Sequence, residues 1–97
     1  MKVKRVVERR GREIGQHLRT WRRMQDLKAE EVAQRAGISR TTMRRVEQGE
    51  AGVSFGAVLS VADALGQLDH VAASFDPLST DLGKLRAQQR LPQRIRR

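Results

Sequence analysis

The sequence predicts an all-α fold, a small bundle of four or five helices, and three observations point there. Apolar residues recur at spacings of three to five through most of the chain before Gly66. Gly37, Ser39, Gly49, Ser54 and Gly66 interrupt that pattern at helix-length intervals, where caps and stops belong. Finally, 97 residues without a single Cys leave enough chain for one domain, and no disulfide or thiolate metal site to stand in for an apolar core.

Residues 1–12, MKVKRVVERRGR, are basic, with Val3, Val6 and Val7 as their apolar content. They read as an N-terminal arm able to follow phosphates or enter a minor groove, as a solvated tail, or as the fraying start of the first helix. From Glu13 to Gln25 the set Ile14, Leu18, Trp21 and Met24 lies on one face of an amphipathic helix, with Trp21 as a core plug. Leu27 to Gly49 then reads as two short helices and a tight turn. Leu27, Val32, Ala33, Ala36, Ile38, Met43 and Val46 form their shared inner side. Gly37 supplies the reversal, Ser39 caps the second helix, and Gly49 closes it.

Glu50 to Val53 is a loop. Ser54 caps a further helix, striped by Phe55, Val58, Leu59, Ala62 and Leu65 and ending at Gly66. Residues 69–77, with Val71, Phe75 and a terminating Pro77, read as a short β-strand, a last turn of helix being the alternative. A strand with no partner in its own chain would pair across a dimer axis, making Val71 and Phe75 dimer or partner contacts. Asp81 to Arg90 has a thin helical edge at Leu82 and Leu85. The basic tail LPQRIRR carries Leu91 and Ile95. The chain thus divides into an arm (1–12), a helical domain (13–66) and a C-terminal extension for dimer or partner contact with a basic tail (67–97).

The net charge of +9 and the pI near 11.5 are the footprint of a polyanion partner. Residues 1–26 carry nine bases against three acids, residues 27–69 five against six, and residues 70–97 six against two. The excess therefore lies at the two ends. No apolar run approaches membrane-spanning length, and the basic N-terminus lacks the apolar block of a signal peptide, so a cytoplasmic protein without a membrane partner is expected.

Between Ser39 and Gly49 the side chains not claimed by the core are Arg40, Thr41, Thr42, Arg44, Arg45, Glu47 and Gln48. Arg donates two bonds to a guanine edge, Thr meets a base edge or a thymine methyl, and hydroxyls reach phosphate, so this inventory suits a helix that reads DNA. A solvated helix in a bundle would carry the same residues. Glu47, the sole acid on that helix, should meet one of Arg19, Arg22 and Arg23. His17 and His70 have no second ligand at metal spacing, and Glu30 and Glu31 are adjacent, so they point different ways on a helix. No phosphate loop or nucleophile elbow is present. The expectation is no enzyme, no metal and no cofactor.

From Ile14 to Gly66 the chain resembles the Xre/Cro-like helix-turn-helix repressors. The resemblance rests on LRTWR, on L-x-x-E-E-V-A-x-x-A-G-I-S-R-T-T-M-R-R-V-E-Q-G, and on S-F-x-x-V-L-x-V-A-D-A-L-G. It implies a compact lambda-repressor-like bundle of four or five helices, dimeric, with the third helix in the major groove of double-stranded DNA and half-sites about 34 Å apart. Carried over by position, it places Arg40, Thr41 and Arg45 at base edges and Ser39, Thr42 and Arg44 at phosphates. It also selects Arg22 as the partner of Glu47. Two positions depart from the family: Lys28 replaces the usual Ser or Thr cap and Ala29 the usual Gln, and Lys28 is expected to supply a phosphate contact instead. The short strand and basic tail also resemble HipB-type antitoxins, which would add a HipA-like toxin as partner. Three functions follow for comparison: a homodimeric sequence-specific repressor, an antitoxin that autoregulates its operon, and a non-specific nucleic-acid or coactivator module.

Overall fold

The computed structural model describes residues 1–90. Six α-helices run in order α1 (Arg5–Met24), α2 (Ala29–Ala36), α3 (Arg40–Glu47), α4 (Phe55–Ala64), α5 (Leu68–Ser74) and α6 (Asp81–Arg90). A 3-10 turn at Pro77–Ser79 precedes α6. The all-α class stands, with six helices where four or five were expected.

The core is made by Leu18 of α1, Val32 and Ala33 of α2, Met43 and Val46 of α3, and Ala57, Val61, Ala62 and Leu65 at the α4 end of the bundle. Leu27, Ala36, Ile38 and Val58 pack half-buried around it. Helices α2, α3 and α4 pack mutually, α1 lies on α3, and α5 continues from α4. The inner side expected for α2 and α3 is therefore the observed one. On α4 the buried line is Ala57, Val61, Leu65, spaced by four, and Phe55 at the start of the helix faces solvent. Small Ala57 allows close approach where Phe55 would not fit.

Helix α1 differs most from expectation. It starts at Arg5, so most of the predicted arm is its first two turns. Gly11 read as a boundary because glycine weakens a helix interior by about 1 kcal/mol. Its role is steric instead. A Cβ added at Gly11 would lie 2.9 Å from the Gly49 carbonyl oxygen, and one at Gly15 would lie 2.6 Å from the Glu47 oxygen. The backbones of α1 and the end of α3 thus touch through glycines. Trp21 is not the core plug the spacing predicts: it is 39% exposed, with Ile14 and Met24 more so.

The strand predicted around Val71 and Phe75 is absent among the described residues. Residues 68–74 are α-helical, and the Val71 N–H donates to the Gln67 carbonyl at 3.0 Å. One β-branched residue among two alanines and a serine does not outweigh local helical bonding. Since these backbone groups are satisfied within the segment, no edge remains to pair across an axis. Val71 is half-buried, and Phe75, just past α5, is 79% exposed. Helix α6 forms where expected and packs on the 3-10 turn. The basic tail, residues 91–97 with Leu91 and Ile95, lies outside the described residues.

Candidate nucleic-acid interface

Residues 27–49 build a tightly braced pair of helices. Lysine has no acceptor, so Lys28 leaves the start of α2 without a side-chain cap. The Glu31 carboxylate supplies the reciprocal bond alone, accepting from the Lys28 N–H at 2.8 Å. Gly37 ends α2 with φ of 71°, and the Ile38 N–H returns to the Ala33 carbonyl at 3.0 Å. Ser39 then caps α3: its Oγ accepts from the Thr42 N–H at 3.0 Å and donates to Thr42 Oγ1 at 3.0 Å. Beyond Gln48, Gly49 turns the chain with φ of 66°.

With Met43 and Val46 turned inward, helical geometry at 3.6 residues per turn puts Thr41, Arg44, Arg45 and Gln48 on the outer arc of α3. The angle of this arc is held from α1. Arg22 Nε donates to Glu47 Oε2 at 2.7 Å, and its second terminal nitrogen donates to Oε1 at 3.2 Å. The remaining nitrogen donates to the Leu27 carbonyl at 2.9 Å, tying the α1–α2 connection into the same fork. The two side chains are 13% and 12% exposed, so this is a largely desolvated bidentate pair and not the surface pair expected.

A groove of about 380 Å³ runs between α1, the start of α2 and α3, lined by Arg19, Ala29, Arg40, Thr41, Arg44 and Gln48. Glu47 also borders it, but its carboxylate is engaged by Arg22. The groove is consequently basic, with hydrogen-bonding groups facing outward. Arg40 donates to Glu30 at 3.4 Å through an exposed contact, and Ala29 leaves room where a longer side chain would intrude. Arg45 does not line this groove. It is half-buried on the other flank of the arc, with Nε donating to Glu50 Oε1 at 3.0 Å, so its two terminal nitrogens remain to face a ligand.

The structure thus gathers Arg40, Thr41 and Arg44 in one groove, sets Arg45 beside it, and leaves Lys28 exposed at the start of α2. Ser39 and Thr42 sit at the first turn of α3, bonded to each other. Val71 and Phe75 belong to the α5 region and line no part of the groove. Two groove residues were not singled out from the sequence as ligand contacts, Arg19 and Gln48. Both were legible by spacing: Arg19 is one turn before Arg22 on α1, and Gln48 one turn after Arg44.

A family model described as a helix-turn-helix domain matches residues 13–75. The chain belongs to the helix-turn-helix domain family. The match runs from within α1 through α5 and so contains the braced pair and the whole groove. No curated protein and no solved structure matches the chain. Membership gives this helix-turn-helix domain DNA as its partner and transcription regulation as its class of activity. Among the described residues no helix is long and apolar enough to cross a membrane, and no three His, Asp or Glu side chains are grouped as metal ligands would be.

Proposed function

We propose that the protein is a cytoplasmic, sequence-specific transcriptional repressor of the Xre/Cro-like kind, binding double-stranded DNA as a homodimer with α3 in the major groove. The observation that carries this reading is the outer arc of α3. It presents two Arg, a Thr and a Gln with no acid among them, on a helix whose angle is fixed by a desolvated ion pair. Arg40, Thr41 and Arg45 meet base edges, while Lys28, Ser39, Thr42 and Arg44 meet phosphates and set the register. The Arg45 side chain, held at Nε by Glu50, offers its terminal nitrogens to guanine O6 and N7. Repression follows from occupying a promoter. No catalytic step, metal or cofactor is involved.

The test is footprinting on the DNA upstream of the protein's own reading frame, followed by affinities for single-base variants of the protected site. Arg45→Ala should lose discrimination at one base position, by about 1–3 kcal/mol. An even loss across all sequences, with binding abolished by moderate salt, would identify a non-specific nucleic-acid module instead. The antitoxin alternative, with a HipA-like toxin as partner, drew on a cross-dimer strand at residues 70–75. That segment is helical, so the alternative retains the C-terminal extension and tail as its basis.

A further inference from the structure

Two apolar faces have no cover among the described residues. The first runs along α1, where Val7, Ile14 and Trp21 stand seven residues apart and Ile14 is 54% exposed. Seven-residue spacing keeps these side chains on one line of a helix. The second is the corner from the end of α5 through the 3-10 turn into α6, where Phe75, Leu78, Leu82 and Leu85 are each more than half exposed. Within one chain α1 packs on α3 and α6 on the 3-10 turn, so neither face covers the other.

The faces carry opposite charge. Residues 1–24 contain nine Lys and Arg against two acids, whereas residues 68–83 contain Asp69, Asp76 and Asp81 and no Lys or Arg. No described ion pair uses any of these three carboxylates, and none uses Arg9 or Arg12. Pairing α1 with α1 would oppose two strongly basic helices. Pairing corner with corner would oppose three acids with three. Only the mixed contact matches apolar surface with apolar surface and base with acid.

We propose that this contact forms between two copies of the chain: the acidic, apolar corner of one docks along α1 of the other, and the reciprocal contact closes a two-fold pair. It rests on the dimeric part of the function proposed above and on none of its base assignments. The α1 line it covers is clear of the groove, because Arg19, five residues after Ile14, projects about 140° around the helix from it. Both α3 helices therefore stay free to meet DNA.

The experiment is the mass in solution of the full chain without DNA, by sedimentation equilibrium. The wild type should show twice the 11.0 kDa of one chain, with the dimer weakening as salt rises. Ile14→Asp and Leu82→Lys should each give the single-chain mass with unchanged helical circular dichroism, both side chains being exposed. Mixing the two variants should restore dimer, since one intact contact then remains. Wild type at the single-chain mass overturns the proposal, pointing to closure within the chain or to a different partner. Sensitivity to only one of the two variants also overturns it, in favour of like-with-like pairing, and so does a dimer insensitive to both. Arg45→Ala should remain dimeric, so a monomeric wild type with operator discrimination intact would remove this interface and leave the α3 assignments standing.

Discussion

Helices α1 and α3 have the same kind of sequence, apolar residues at helical spacing among arginines, and the fold treats them differently. Short α3 buries both of its apolar residues, Met43 and Val46, with a basic arc outside. Twenty-residue α1 buries Leu18 and Gly15, and leaves Val6, Val7, Ile14, Trp21 and Met24 exposed. What fixes α1 in place is the glycine contact with the end of α3 and the Arg22–Glu47 fork. Apolar spacing shows that a helix has a face to cover; whether its own chain covers it depends on volume and charge elsewhere.

The sharpest way to test that difference is to shorten one apolar side chain on each helix. Met43→Ala should cost about 3 kcal/mol, because it empties space in a site that is 1% exposed. Ile14→Ala should cost less than about 1 kcal/mol, the usual range for an exposed substitution. Urea unfolding of both variants at a concentration where the chain is monomeric checks this, and equal losses would mean that α1 is buried by its apolar line after all.

Smaller effects are expected where α1 meets α3. Gly15→Val places a Cβ 2.6–2.8 Å from backbone atoms of Val46, Glu47 and Gly49, which cannot swing aside. Stability should fall by about 2–3 kcal/mol, the upper part of the overpacking range. Arg22→Ala should cost about 2 kcal/mol, below the full figure for a buried pair because some water still reaches Glu47. It should also lower affinity for operator DNA, since the α3 angle loses its brace. Retained affinity at reduced stability would show that the core alone sets that angle.

The sequence made the α2–α3 pair legible in detail because its signals are local. Gly37, Ser39 and Gly49 act within a few residues of themselves, and Met43 and Val46 face a partner only one turn of chain away. The ion pair was legible as well, since one acid on α3 restricted the choice to three arginines on α1. What was not legible depended on distant chain. Gly11 and Gly15 look like helix breakers until Gly49 is known to rest on them. Val71 and Phe75 suggested a strand because β-branched and aromatic content was read without the helical bonds around it. Arg19 and Gln48 entered the groove only when three helices were placed together.

The smallest effect compares the two caps inside the braced pair. Ser39 satisfies an N–H at the start of α3 with its own oxygen, whereas Lys28 leaves α2 dependent on Glu31. Lys28→Ser should therefore raise stability by up to about 1 kcal/mol, the usual value of a restored cap. The same change removes a cation from the edge facing DNA, so affinity should fall evenly across sequences and the salt dependence should lessen by about one counterion. Thermal unfolding and salt-titrated binding measure the two effects separately. Unchanged stability would mean that Glu31 already does the work of the cap, and unchanged affinity would remove Lys28 from the phosphate contacts. Opposite signs in the two measurements are what would be seen if this position favours DNA contact over helix stability.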